Sequence, residues 1–327
     1  MPIKLLLGAT ALALGLAAAP ALAASGKLVL YTSQPNADAQ ATVDAFVAAH
    51  PDVEVEWVRD GTTRIMARVR AELAAGGTPA DVLLIADTVT MQGLEQEGLL
   101  MAHPDAPVAG YAPGLHDPDG HFFSTKLITT GIVYNEAAPM QPTSWKDLEG
   151  EAAEGQIAMP SPLASGAAVI HLTTLADHPD LGWAHFEALA ANGVMPQGGN
   201  GGVFQAVATG EKLYGIVVDF LPIREAAKGS PVRFVFPEEG VSAVTEPVAI
   251  LSTTQNPDAA KAFVDFLLSR EGQELAASQG YLPAHPDVTP PEGFPALSEI
   301  EVLTTDPAEA LANEEANRER WMEIFGL

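Results

Sequence analysis

The stretch Leu28-Val29-Leu30-Tyr31-Thr32 decides the fold, because this short apolar strand is followed by a helix and then by a second strand. Residues 39–47 place their apolar side chains on one helical face. Residues 53–58 then alternate apolar with acidic side chains, as a half-buried strand does. A strand-helix-strand unit predicts an α/β fold built on a parallel sheet.

The same alternation of strands and helices continues downstream. Residues 82–86 and 213–218 are nearly uninterrupted apolar runs, which are typical of buried parallel strands. Residues 244–251 predict one continuous strand, and residues 258–277 predict one long helix. Because there is no internal repeat and no low-complexity linker, we expect two interleaved domains rather than two in series.

The first residues have the pattern of an export signal. Lys4 gives a positive start, residues 5–19 are apolar, and Ala21-Leu22-Ala23 is a small-x-small cleavage site. This pattern predicts a signal peptide at residues 1–23, cleaved near Ala23, and a periplasmic mature protein. The alternative is a membrane anchor, but the apolar run is short for a bilayer span. No later segment is apolar for long enough to span, so we expect a soluble mature chain.

Composition narrows the function further. The 327-residue chain has no cysteine, which excludes disulfides, thiolate metal sites and lipid attachment at cysteine. With 16 basic against 42 acidic residues, its surface repels nucleic acid and anionic membranes, so no nucleic-acid partner is expected. The acidity is also explained by solubility or a salty habitat, and it does not define the charge of a ligand.

Four polar loops follow predicted strands. In open parallel sheets, ligands bind beyond the carboxyl ends of the strands, so these loops are candidates for a binding site. They are Ser33 to Asn36, Ala86-Asp87-Thr88, Ser161 to Ala167 and Asp219-Phe220-Leu221.

The third loop has the features of an anion site. Ser165 is placed to cap the following helix, and Gly166 lets a ligand approach the backbone. Free amides at a helix start, together with the helix dipole, bind anions, although a plain cap without a ligand is the alternative. Asn200, in the glycine-rich stretch 197–202, precedes another helix and is either a ligand contact or part of a flexible turn.

Two further groups have competing interpretations. Asp219, at the end of a buried strand, needs a cationic or hydroxyl partner, which is either a ligand or Arg224. Residues 116–121 contain metal-capable side chains, but Pro118-Asp119-Gly120 favours a hairpin turn, and no metal site is predicted.

Catalytic motifs are missing. The sequence has no Gly-x-Ser-x-Gly elbow, no His-Glu-x-x-His motif and no phosphate-binding P-loop, so no enzymatic activity and no cofactor are predicted. A secreted hydrolase stays as the alternative, because the residues of a triad need not be neighbours in sequence.

Taken together in order and spacing, several segments resemble ABC-importer solute-binding proteins of the ferric-iron-binding type, whose relatives bind sugar phosphates or phosphonates. The resemblance covers most of residues 27 to 290. The segments that carry it are Leu30-Tyr31-Thr32-Ser33, Ala80-Asp81-Val82, Thr143 to Leu148, Pro160 to Gly166, Gly210 to Val218, Ala259 to Ser269 and Gly280 to Pro283.

This resemblance implies the two-lobed periplasmic-binding-protein fold of type II, with two crossing hinge strands and the ligand in the cleft. Lobe 1 would comprise residues 26–127 plus 247–285, and lobe 2 residues 128–246 plus 286–327. The crossings would fall near residues 127–132 and 246–250. The partners implied are a small-molecule ligand and an importer membrane permease, and the protein would be a monomer that closes about its hinge.

One departure from the iron binders bears on the ligand. Those proteins carry adjacent tyrosines after the strand that corresponds to residues 213–218, where this chain has Asp219 and Phe220. Phenylalanine cannot ligate iron, so we expect a small organic anion, a phosphonate such as 2-aminoethylphosphonate or a sugar phosphate, with ferric iron as the alternative. The loop at 165–167 and Asn200 would hold the anion, while acids would bind an amine or hydroxyls. The predicted ligand-binding residues are Ser33, Gln34, Asp87, Thr88, Ser165, Gly166, Ala167, Asn200, Asp219, Phe220 and Glu246.

Overall fold

The computed structural model describes residues 24–111, 114–295, 299–303 and 307–327, with no side chains described for 307 and 308. The predicted signal peptide at residues 1–23 lies outside this range. Within the described ranges, no helix combines the length and the apolar character needed to cross a bilayer.

The described chain alternates strands and helices. The strands are β1 (Gly26–Thr32), β2 (Val53–Arg59), β3 (Val82–Leu84), β4 (Leu100–Met101), β5 (Phe122–Ser124), β6 (Lys126–Asn135), β7 (Ile157–Ala158), β8 (Tyr214–Val218), β9 (Val232–Val235), β10 (Val241–Val244), β11 (Pro247–Leu251), β12 (Leu282–Pro283) and β13 (Val302–Leu303). The α-helices are α1 (Asn36–Ala49), α2 (Thr62–Ala74), α3 (Thr88–Gln96), α4 (Gly166–Ala176), α5 (Gly182–Ala191), α6 (Asn200–Ala208), α7 (Phe220–Ala227), α8 (Pro257–Leu268), α9 (Arg270–Ser278) and α10 (Pro307–Phe325). Among the described residues, 3₁₀ helices cover Trp145–Glu149 and Glu151–Ala153.

The first lobe is built on a sheet in which β1 pairs in parallel with both β2 and β3, as the opening stretch of sequence predicts. The sheet is mixed rather than parallel throughout, because β11 returns antiparallel to β3 and also pairs with β4 and β5. Helices cover this sheet, and Phe46 of α1 and Phe263 of α8 pack edge to face in its core at a centroid distance of 5.0 Å.

The second lobe is built on another mixed sheet, with β6 at its centre. The main strand order among the described residues is β13-β10-β6-β8-β7, and β9 and β12 also pair with β6. Its core contains Trp145, Phe186 and Trp321, so the last helix, α10, is anchored in this lobe. Helix α10 also packs against α3 of the first lobe, and therefore contacts both lobes.

Two segments cross between the lobes side by side. The chain leaves β5 for β6 at Thr125, and leaves β10 for β11 at Thr245-Glu246. The amides of Thr125 and Lys126 both donate to the carbonyl oxygen of Thr245, and Thr125 Oγ1 donates to that of Glu246 at 2.7 Å. These contacts confirm the two-lobed fold with two crossing strands.

Two elements that the sequence predicts as continuous are each interrupted in the structure. The strand predicted over residues 244–251 is interrupted at Glu246, whose φ of 38° lies in the left-handed region and turns β10 into β11. The helix predicted over residues 258–277 is two helices, because the extended backbone of Ser269 ends α8 while its side chain caps α9.

Candidate functional site

A cavity of about 290 Å³ lies between the two lobes, at the strand ends where the sequence predicts the ligand. The first lobe, the second lobe and Glu246 of one crossing segment contribute to its wall. The described residues that line it are Ser33, Pro35, Arg59, Gly61, Thr62, Arg64, Ala86, Ile128, Ala164, Ser165, Ala167, Gly199, Asn200, Gly201, Gly202, Val218, Phe220, Leu221 and Glu246.

On the side of the second lobe, two helix starts converge on this cavity. Ser165 Oγ accepts the amide of Ala168 at 3.4 Å, which confirms the predicted cap of α4. Asn200, the first residue of α6, donates from Nδ2 to Ser165 Oγ at 3.1 Å and accepts the amide of Val218 at 3.2 Å. The asparagine therefore fixes α6 against α4 and β8, so that residues at both helix starts line the same cavity. Helix starts carry backbone amides without a helical partner, which can bind an anion.

On the side of the first lobe, two arginines line the cavity. Arg59 ends β2, and its Nε donates to the carbonyl oxygen of Gln34 at 2.8 Å. Arg64, in the first turn of α2, donates from Nε to Asp60 at 2.6 Å. These bonds orient the two guanidinium groups while leaving other N–H groups of each available, and a guanidinium matches the geometry of a phosphate or carboxylate.

The charge state of the acid beside Arg64 is set by its neighbours. Partial burial raises the pKa of Asp60, but hydrogen bonds from Arg64 and Gly61 and the charges of Arg64 and Arg59 outweigh burial and hold that pKa below its usual value. Asp60 is therefore ionised at neutral pH and neutralises one of the two arginines.

Glu246, between the crossing segments, is the only acid among the described residues that line the cavity. Its carboxylate lies 2.5 Å from Lys126 Nζ, and both side chains are 3% exposed. Lys126 Nζ also lies 4.1 Å from the centre of the Tyr281 ring. Glu246 is therefore already neutralised by a buried cation, although an oxygen atom can still accept a hydrogen bond from a ligand.

Six of the eleven predicted ligand-binding residues line the cavity: Ser33, Ser165, Ala167, Asn200, Phe220 and Glu246. Gln34 is buried behind it and donates to Glu246 at 3.4 Å. Thr88 Oγ1 lies 3.3 Å from Thr245 Oγ1, and Gly166 packs against the backbone of Ala86.

Asp219 and Asp87, the two aspartates predicted as ligand contacts at strand ends, do not line the cleft cavity. Asp219 accepts the amide of Thr129 at 2.9 Å, the hydroxyl of Thr129 at 2.7 Å and the amide of Phe220 at 2.6 Å. Burial raises its pKa to about 7, although these hydrogen bonds oppose the shift. The alternative ion pair with Arg224 does not form, because that guanidinium pairs with Asp38 at 3.1 Å.

Asp87 is the N-cap of α3. It caps α3 by accepting the amide of Thr90 at 3.1 Å and the hydroxyl of the same residue. Burial raises its pKa to about 6. Its carboxylate lines a second cavity of about 420 Å³, which lies between both lobes and α10 rather than in the cleft cavity.

Arg59 and Arg64 are not among the ligand-binding residues predicted from the sequence. A signal was present, since Arg59-Asp60-Gly61-Thr62 follows the carboxyl end of a parallel strand just as the four selected loops do. Charged residues at the end of a half-exposed strand are also typical of a solvated surface, so this pattern alone does not identify a ligand contact.

The hairpin predicted at residues 116–121 is present, with a bridge between His116 and Phe123. His121 Nδ1 lies 3.0 Å from Asp117 and 3.6 Å from Glu95. These three side chains have metal-ligand chemistry, but their contacts are also those of an ordinary histidine–carboxylate pairing, and they lie outside the cleft.

Known proteins resemble this chain along most of its length. A probable ABC transporter periplasmic-binding protein of Sinorhizobium fredii is 25% identical over 316 residues, 91% of this chain and 85% of the relative. The periplasmic binding protein AfuA of Actinobacillus pleuropneumoniae, solved with fructose-6-phosphate bound, is 24% identical, covers 92% of this chain and 99% of its own, and has a TM-score of 0.84. Iron-bound HitA of Pseudomonas aeruginosa is 21% identical. The match covers 90% of this chain and 99% of HitA, with a TM-score of 0.76.

At 24% and 21% identity, the two solved structures show only that the fold is shared. The family comparison is stronger, because the family described as bacterial extracellular solute-binding protein matches residues 28–282. That match covers well over half of the sequence, so the chain belongs to the bacterial extracellular solute-binding proteins.

Proposed function

We propose that this protein is the periplasmic solute-binding component of an ABC importer, and that its cleft binds a small phosphorylated sugar. The observation that supports the ligand class is the charge pattern of the cleft cavity. Two arginines of the first lobe face two helix starts of the second lobe, and the only acid among the described lining residues is neutralised by Lys126.

Arg59, Arg64, Ser165 and the amides at the start of α6 would hold the phosphate. Guanidinium groups and free helix-start amides are two kinds of donor that bind phosphate in proteins, and here they approach from opposite lobes. A dianion that bridges them favours the closed cleft, because it contacts both lobes only when they are together.

The remainder of the ligand would be uncharged and rich in hydroxyls. Glu246, Ser33 and Thr62 offer oxygen atoms at the cavity wall, while Phe220 and Leu221 offer apolar surface. Asp87 and Asp219, which the sequence predicts as partners for an amine, do not line this cavity. The amine of 2-aminoethylphosphonate would therefore meet no unpaired acid, and a sugar phosphate fits the charge pattern better.

Ferric iron is the less favoured cargo. The described lining residues include one carboxylate, on Glu246, and no tyrosine, histidine or cysteine. Ferric iron needs several hard anionic ligands, which this wall does not provide. The ABC-importer assignment draws on the Sinorhizobium relative and on the export signal predicted at residues 1–23.

The test compares two matched arginine variants by titration calorimetry with fructose 6-phosphate. Arg64 pairs with Asp60 at 2.6 Å and is 57% exposed, and Arg233 pairs with Glu136 at 2.6 Å and is 59% exposed, but lies outside the cleft. Arg64→Gln is expected to weaken binding by about 10- to 100-fold, because it removes a charge-assisted hydrogen bond. Arg233→Gln is expected to bind as the wild type does, and equal losses in both variants would contradict the assignment.

A further inference from the structure

The backbones of the two lobes approach each other closely in a small region beside the ligand cavity. Thr63 Oγ1 of the first lobe donates to the carbonyl oxygen of Pro162 of the second lobe at 3.0 Å. Two glycines lie next to this hydrogen bond, Gly61 in the first lobe and Gly166 in the second. We call residues 61–63, 86 and 162–166 the interlobe contact.

Each glycine faces a carbonyl group of the opposite lobe at a distance that leaves no room for a side chain. A Cβ atom built on Gly61 would lie 2.0 Å from the carbonyl oxygen of Ala164. A Cβ atom built on Gly166 would lie 2.4 Å from that of Ala86 and 2.9 Å from the side chain of Thr62. The nearest atom in each case is a backbone carbonyl oxygen, which cannot move aside as the end of a flexible side chain would.

Backbone conformation does not require glycine at either position. Gly61 has a φ of −62° and a ψ of 148°, which any residue adopts, and Gly166 is the first residue of α4 and lies outside the left-handed region. An alanine would therefore be unstrained within its own lobe. Its clash arises only when the two lobes come together.

The interlobe contact also divides two spaces. Gly61, Thr62 and Ala164 line the cleft cavity on one side, while Thr63 and Pro162 line the cavity of about 420 Å³ under α10 on the other. Separation of the lobes at this contact would join the two spaces and open the ligand cavity toward α10.

We propose that Gly61 and Gly166 are the positioning residues that let the lobes close over a ligand, so that one added methyl group at either position holds the cleft open. This inference rests on the proposed function for its ligand, but the clash itself involves protein atoms only. Closure can therefore be measured with and without the ligand.

The experiment compares Gly61→Ala and Gly166→Ala with Gly150→Ala as the matched control. Gly150 is extended like Gly61, at φ −84° and ψ 161°, and a Cβ atom there would come no nearer than 3.6 Å to any neighbour. Because the chain has no cysteine, spin labels on Ala71→Cys and Ala191→Cys report the distance between the lobes. Distances are measured in buffer, in trimethylamine oxide, which favours compact states, and with fructose 6-phosphate.

In the wild type and in Gly150→Ala, we expect trimethylamine oxide and fructose 6-phosphate each to populate the inter-label distance of the closed structure. In Gly61→Ala and Gly166→Ala we expect longer distances, at least 10-fold weaker binding and an unliganded unfolding temperature that is unchanged or slightly raised. A merely structural role would lower that temperature, which would overturn the proposal.

The proposal is also overturned if the two alanine variants reach the closed distance, or if the wild type never does. Failure of the proposed ligand is distinguishable from these outcomes. In that case fructose 6-phosphate has no effect on any variant, while trimethylamine oxide still separates the wild type from the two alanine variants.

Discussion

Replacing Lys126 by methionine is expected to destabilise the protein by about 3–5 kcal/mol, because it leaves a buried carboxylate without its cation. Glu246 and Lys126 lie 2.5 Å apart and are each 3% exposed, so little water reaches the carboxylate to compensate for the lost cation. Gln34 approaches the carboxylate only at 3.4 Å. Methionine has a similar shape to the aliphatic part of lysine, so most of the loss is electrostatic, with a smaller part from the contact with the Tyr281 ring.

A double-mutant cycle separates the charge effect from packing. Urea unfolding at pH 7.5 is followed by circular dichroism for the wild type, Lys126→Met, Glu246→Gln and the double variant. The double variant buries no unpaired charge, so we expect it to be more stable than Lys126→Met alone, with a coupling energy of about 2–3 kcal/mol. The reasoning is refuted if Lys126→Met costs less than about 1 kcal/mol or if the two single effects simply add.

Two further predictions concern burial. Burial raises the pKa of Asp219 to about 7 in the folded protein, from near 3.9 in the unfolded chain, so the folded state binds more protons between these values and the contribution of Asp219 to stability falls as pH rises from 4 to 7. Asp219→Asn should remove roughly 3 kcal/mol of pH dependence from the unfolding free energy measured by urea titration, whereas parallel pH profiles would contradict the burial argument. Trp321→Ala should cost about 3–5 kcal/mol by calorimetry, since this 1%-exposed side chain anchors α10 in the second lobe. A cost below about 1 kcal/mol would show that the lobe folds without that anchor.

The fold was predictable from the sequence because local patterns and short connections determine it. The alternation in residues 53–58 and the apolar run at residues 82–86 fixed the parallel part of the first sheet. The predictions that were wrong are those of one continuous strand over residues 244–251 and one continuous helix over residues 258–277. The turn at Glu246 has a φ of 38°, which is rare outside glycine, and its cause is the crossing between lobes rather than the local sequence.

The location of the cleft cavity was predictable from the sequence, but the directions of individual side chains were less so. Strand ends located the loops, yet the direction of a side chain depends on the next few backbone angles. Asp219 takes helical angles at once, φ −60° and ψ −49°, so its carboxylate turns back onto backbone amides. Arg59 reaches the cavity because the second lobe closes over it, and Lys126 meets Glu246 across 120 residues of chain. The position of Arg59 at a strand end is a local pattern that solvated surfaces share, whereas the contact between Lys126 and Glu246 leaves no local pattern.

Titration calorimetry of the wild-type protein with a panel of solutes tests the central claim most directly. The panel contains fructose 6-phosphate, unphosphorylated fructose, 2-aminoethylphosphonate and ferric citrate. We predict that fructose 6-phosphate binds, that fructose binds at least 100-fold more weakly, and that saturation at a thousand times the dissociation constant adds about 4 kcal/mol to the unfolding free energy. Binding of ferric citrate alone, with no heat from either phosphorus compound, would contradict the account.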